Sequence, residues 1–135
     1  MKRNSNRARW LWPALLLLAG SPAVWAQAAG SDAATLAQGK RLFMRCAACH
    51  DATNTGSPKI GPHLQGLVGR QALAVTGYAY SPGMKAKPSL VWDAATIDAW
   101  LIKPSDVVPG TTMAFVGMPD ARERKALLMY LQSLK

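Results

Sequence analysis

The chain has 135 residues, with sixteen Lys+Arg against seven Asp+Glu for a net charge of +9, and only two cysteines and two histidines. The positive charges are scattered and four of them lie in the first nine residues, which excludes a nucleic-acid-binding module. A structural zinc site would have to enlist His63 beside Cys46, Cys49 and His50, and a dithiol redox protein would want a βαβ setting that these alanine-rich, helix-forming flanks do not offer.

Lys2, Arg3, Arg7 and Arg9 precede an apolar run from Trp10 to Gly20 and then Ser21 to Ala26, the layout of a secretory signal. Small side chains at Val24 and Ala26 place cleavage after Ala26, with Ala28 or Ala29 as alternatives, and the exported chain would lie in the periplasm. A retained membrane anchor is the competing reading, but the run is short of the ~20 residues of a span and Pro13 and Pro22 interrupt it. Residues 1–26 hold four basic and no acidic residues, so their loss lowers the net charge to +5 and leaves residues 27–135 as a single domain. Such a chain builds only a modest core of its own, which a large apolar cofactor would complete.

Residues 27–31 are expected to be a frayed start, with Asp32 capping a first helix whose apolar positions Leu36, Ala37, Phe43 and Met44 lead to Cys46. Gly39 leaves room for another helix to approach closely. The helix ends in Cys46-Ala-Ala-Cys-His50, the spacing of covalent haem attachment: on a helical turn Cys46 and Cys49 share a face and can reach the two vinyl groups of one porphyrin edge. His50, held beside the ring by those thioethers, then ligates the iron with little further loss of entropy. Loops rich in Gly and Pro fill 51–91, with one helical turn near Pro82 to Lys87 and little sheet.

Asp93 starts a second helix through Trp100 and Ile102, which Pro104 stops, and Asp120 starts a third. Glu123 completes a capping-box pattern with Asp120, while Leu127, Leu128, Leu131 and Leu134 give the third helix a buried stripe with Tyr130 at its edge. The fold class is therefore all-α: three main helices and loops wrapped around one haem. A sixth iron ligand has two serious candidates. Met113 follows Pro109-Gly110-Thr111-Thr112 in a stiffened loop, and Met118 precedes Pro119 just before the last helix; Met44 and Met129 read as core filling.

These residues together resemble class I cytochromes c of the mitochondrial and bacterial c2 type. The matching stretches are Gly39 to Phe43, Cys46 to His50, Gly61-Pro62-His63-Leu64-Gln65-Gly66-Leu67-Val68-Gly69-Arg70, Trp92, Pro109 to Phe115 and Leu127 to Leu131, spanning nearly all of the mature domain. The resemblance implies haem c on Cys46 and Cys49, His50 and Met113 as axial ligands, and the Pro62 carbonyl as acceptor of the other His50 ring N–H. It also implies Arg70, Tyr80 and Trp92 as donors around the haem propionates, and His63 as a loop residue rather than a ligand.

Two departures stand on the distal side, where Trp100 replaces a tyrosine and Met84 stands close to the place of an asparagine of the mitochondrial type. Thr112, Ser105 and Asp106 replace lysines near the haem edge of that type, leaving Arg45, Lys59, Lys85, Lys87 and Lys103 as candidates for a basic docking face. Two strong ligands leave no open iron position, so the expected function is one-electron transfer in a respiratory chain. The expected partners are redox proteins such as a cytochrome bc1-type complex, a terminal oxidase or a periplasmic dehydrogenase. An enzyme reading, as the haem subunit of a dehydrogenase or a weak peroxidase with a labile distal ligand, finds no acid–base pair in the sequence to support it.

Overall fold

The computed structural model describes residues 23–135, with side chains from Gly30 onward. The basic and apolar segment read as a signal or anchor therefore lies outside the described residues, apart from the backbone of 23–26. Six helices occur among the described residues: α1 (Ala23–Leu42), α2 (Met44–Ala47), α3 (Pro82–Lys85), α4 (Ala94–Ile102), α5 (Pro104–Val107) and α6 (Ala121–Ser133). Strand pairing among them is limited to one antiparallel bridge between Gln71 and Val91.

The first helix departs from expectation at its start. It runs unbroken from Ala23 through Asp32, so Asp32 is no cap and residues 27–31 are no frayed terminus. Alanines on both sides of Asp32 favour helix strongly enough to carry the chain across Gly30 and Ser31. Thr35 Oγ1 donates back to the Ser31 carbonyl at 2.7 Å, an arrangement of helix interiors. Leu36 and Ala37 are exposed; α1 instead makes its close contact at Gly39, and Phe43 is buried just beyond its end.

Gly39 packs against the backbone of α6 so closely that a Cβ there would collide with the Ala126 carbonyl and Tyr130 Cβ. The Phe43 ring meets Tyr130 at 5.2 Å, tilted by 59°. These contacts cross the two terminal helices, and Leu127 and Leu131 lie buried beneath them. Met44 is 70% exposed and is not core: α2 is a single turn whose inward side is supplied by Phe43 and Cys46.

Asp93 caps α4 by accepting from Thr96 N at 2.7 Å, and Asp120 caps α6 by accepting from Arg122 N at 2.7 Å and Glu123 N at 3.3 Å. The Glu123 carboxylate turns to Arg45 rather than back to the cap. Pro104 ends α4 and, with its fixed φ, opens the short α5. The bridge at Gln71 and Val91, with Trp92 N donating to Arg70 O at 2.9 Å, sets Arg70 beside Trp92 at one edge of the core.

Candidate functional site

A cavity of about 360 Å³ lies at the centre of the fold, within the size range of small-molecule and cofactor sites. One wall is the turn from Arg45 to His50 with Ile60, Gly61 and Pro62; the opposite wall is the loop Thr111 to Phe115; the floor is Ile97, Trp100 and Leu101 of α4 with Leu127 and Leu131 of α6. Cys46, Cys49, His50, Pro62, Arg70, Tyr80, Trp92 and Met113, distant in sequence, all line it.

The Cys-Ala-Ala-Cys-His segment runs from the end of α2 into a hydrogen-bonded turn: Cys49 N and His50 N both donate to the Cys46 carbonyl, at 3.0 and 2.8 Å. That turn brings both free thiols and the imidazole to one wall. His50 Nδ1 lies 2.7 Å from the Pro62 carbonyl, and because a carbonyl only accepts, Nδ1 carries the proton and Nε2 keeps its lone pair. Burial pushes the His50 pKa down against the smaller opposing pull of that hydrogen bond, so the ring is held neutral. Burial likewise raises the Cys46 thiol, partly offset by Arg45. Gly61 lies flat against the imidazole, where any Cβ would enter the ring's own space. The strand of loop is tied down by Gly61 N to Cys49 O and Leu64 N to Asp51 O, each 2.8 Å.

Across the cavity, the Met113 loop is pinned at both ends. Gly83 approaches Pro109 and Gly110 with no room for a side chain, and Met113 N donates to Thr111 Oγ1 at 3.2 Å. At the far end Gly117, at φ +98°, packs on the Ile102 carbonyl, and Met118 N donates to Leu101 O at 2.8 Å. Arg124, nearly buried, holds the carbonyls of Met118 and Pro119 at 3.0 and 2.8 Å while its Nε pairs with Asp98 at 2.8 Å. Met118 is 1% exposed in the core and does not line the cavity, whereas Met113 does.

Arg70 donates to the carbonyls of Gln65 and His63, both at 2.9 Å, and Tyr80 Oη accepts from Val75 N at 3.1 Å. Both side chains are thus oriented at the cavity edge, and burial lowers the Arg70 pKa from its ordinary value. Trp92 stands edge-on to Trp100, centroids 5.1 Å apart, and Trp100, Met84 and Thr112, three of the expected departures from the mitochondrial pattern, line the cavity. His63 lies apart, half-buried in a smaller polar cavity of about 220 Å³ with Asn54, Ser57 and Thr76. Sequence reasoning missed Tyr78 and Ile60 as lining residues. Tyr78 packs edge-on to Tyr80 at 4.7 Å and donates to the Ile60 carbonyl at 2.9 Å, and the Tyr-Ala-Tyr spacing in a loop was the signal available.

Two thiols, a neutral imidazole, a thioether and a mostly apolar lining are the donor set of a covalently held haem, and the flat approach of Gly61 to His50 fits a ring held in one orientation. Comparison with known proteins finds relatives over most of the chain. The cytochrome c family model matches residues 36–135. Cytochrome c2 of Rhodomicrobium vannielii is 35% identical over 116 residues, covering 86% of this chain and 91% of that protein. Cytochrome c-550 of Nitrobacter winogradskyi is 41% identical over 93 residues, covering 69% and 84%. The solved structure of cytochrome cH from Methylobacterium extorquens matches with a TM-score of 0.65 at 38% identity, covering 72% of this chain and 96% of that one.

Proposed function

The chain belongs to the cytochrome c family, whose members are electron-transfer proteins rather than enzymes, and from that premise we propose a periplasmic one-electron carrier with a haem held by Cys46 and Cys49 and ligated by His50 and Met113. The observation that carries this reading is the convergence of both thiols, the His50 ring and the Met113 thioether on one cavity. When bound, the haem supplies a one-electron Fe(III)/Fe(II) couple. The protein's part is to hold and insulate it. Pro62 fixes the His50 tautomer and ring orientation and strengthens its donation. The pinned loop presents Met113 without reorganisation, which suits electron transfer and opposes an open, peroxidase-like position. Arg70, Tyr80 and Trp92 supply donors at the cavity edge for the two propionates.

Residues 1–26 act in this reading as a cleaved signal, and cutting after Ala26 would trim four residues from α1. Electron-transfer partners follow from the family; a bc1-type complex, a terminal oxidase or a periplasmic dehydrogenase are the partners we propose. The deciding experiment is the ferric spectrum of protein matured in a haem-attaching periplasm. The weak far-red band of methionine-ligated haem is expected in wild type and in Met118→Ala, and is expected to vanish in Met113→Ala. Its persistence in Met113→Ala, or high-spin iron in the wild type, overturns the ligand assignment.

A further inference from the structure

Between His50 and Pro62 the chain leaves the cavity wall in a loop and returns to it, and one side chain closes the neck of that loop. Asp51 stands where the loop leaves and Lys59 where it returns. Lys59 Nζ lies 2.8 Å from Asp51 Oδ1 and donates to the Ala47 carbonyl at 3.0 Å. An ammonium carries three N–H donors, so one group serves both oxygens. Ala47 sits between the two cysteines at the end of α2, and its carbonyl is one of those that a helix end leaves for other donors. Lys59 is therefore tied to the turn on both sides of His50, through Ala47 before it and Asp51 after it.

The consequence is geometric. Gly61 N to Cys49 O and Leu64 N to Asp51 O, each 2.8 Å, fix the returning segment at two points on either side of Pro62. Two points leave that segment free to rock about the line joining them, and rocking would move the Pro62 carbonyl that lies 2.7 Å from His50 Nδ1. Lys59 supplies a third point upstream of Pro62. Residues 53–58, between the two halves of the ion pair, are exposed and bring no core packing to the task. An exposed pair of this kind adds little to global stability, but the orientation of a ligand through its outer hydrogen bond is sensitive to much smaller displacements.

We propose that Lys59, seated on Asp51 and Ala47, is a positioning residue for the axial imidazole: it holds the Pro62 carbonyl on His50 Nδ1 and so sets how strongly the ring donates and where the midpoint potential lies. The proposal rests on His50 being an iron ligand, as in the electron-carrier reading above. Field and position act in opposite directions here. Removing a cation near the cavity disfavours the added electron and lowers the potential. A weakened hydrogen bond from His50 makes the imidazole a poorer donor, which favours the ferrous state and raises it.

A redox titration of the haem-bearing wild type comes first, because absence of a reversible one-electron couple would bring down the carrier reading itself. Lys59→Met then keeps the aliphatic stem and removes every donor. In the reduced protein, exchange of the His50 Nδ1 proton with solvent, followed by nuclear magnetic resonance, should speed up about fivefold or more, and the midpoint potential should rise. Lys59→Arg, which returns donors to both oxygens, should restore both readings towards wild type. Lys85→Met removes an exposed cation next to lining residue Met84 that has no ion pair among the described residues; it should leave the proton exchange unchanged and lower the potential. If Lys59→Met matures too poorly to measure, Asp51→Asn, which cuts one of the two ties, should speed the exchange about twofold, and no change there counts against the proposal equally. Unchanged exchange in Lys59→Met, a potential that falls as in Lys85→Met, or an equal acceleration at the amides of buried Leu127 and Leu131, which marks general loosening, overturns it.

Discussion

At the scale of single residues, the site depends on what is missing at Gly61 as much as on what is present at His50. Gly61 has an ordinary backbone conformation, so its requirement for glycine comes from the imidazole lying against it, not from a left-handed turn. Gly61→Ala would push the ring off its hydrogen bond with Pro62. We expect a marked fall in the yield of haem-bearing protein and, in what matures, a shifted midpoint potential; a variant with wild-type yield and potential would show that the close approach is unimportant. Arg124 is the second such residue. It joins Asp98 on α4 to the carbonyls that close the Met113 loop, and it is the buried charged residue among those described. Arg124→Met keeps much of the side-chain volume but strands two carbonyls and a half-exposed carboxylate, for an expected loss of about 2–3 kcal/mol in denaturant unfolding. The far-red methionine band should also fade at a lower denaturant concentration than the helical signal, separating loosening of the loop from global unfolding. Neither role was legible in the sequence: Gly61 stood out only as part of a family pattern, and nothing in the order of residues aims Arg124 at Asp98.

At the scale of elements, the helices were the readable part and their ends the less readable. The caps at Asp93 and Asp120 stand where short polar residues precede apolar periodicity, because a side-chain oxygen there satisfies amides that the helix cannot. Asp32 carries the same local signal and caps nothing, since alanine-rich sequence on its N-terminal side continues the helix through it. Backbone hydrogen bonds lower the Asp120 pKa below its ordinary value near 3.8, and Asp93 is lowered in the same way. The sign follows directly. A carboxyl with a depressed folded-state pKa stabilises the fold fully above its unfolded pKa and loses that contribution as pH falls through the folded value. Between about pH 5 and about pH 2 the thermal midpoint of the wild type should therefore fall more steeply than that of Asp120→Asn, which keeps a capping oxygen without a titrating one. Parallel curves would assign the acid sensitivity to other groups. The α1–α6 crossing gives a second element-scale prediction: Gly39→Ala inserts a methyl group against the Ala126 carbonyl, backbone that cannot rotate away, and should cost about 1–3 kcal/mol or more.

At the scale of the whole molecule, the core and the site are the same object. Ile97, Trp100, Leu101, Leu127 and Leu131 are buried residues of the hydrophobic core and also form the floor of the cavity. Periodicity in the sequence marks Leu127 and Leu131 as inward-facing, but it cannot say that they face a cofactor instead of another helix, because an apolar stripe is the same in both cases. The Cys-Ala-Ala-Cys-His spacing supplies that information from outside the pattern, which is why the haem and the helical architecture are read together from the sequence. An unfilled apolar cavity of about 360 Å³ leaves the side chains that line it without packing partners, a heavy cost for a domain whose whole stability is ~5–15 kcal/mol. A Cys46→Ala, Cys49→Ala chain, unable to retain the group covalently, should therefore keep part of its far-ultraviolet helical signal but lose the near-ultraviolet signal of the packed Trp92–Trp100 pair. It should also melt without a cooperative transition, because the cavity walls collapse into an ensemble of loosely packed states once nothing fills the space between them. A sharp thermal transition with native near-ultraviolet intensity in that variant would mean that the helices α1, α4 and α6 close on one another unaided, and that the cofactor is a guest in this core and not a part of it.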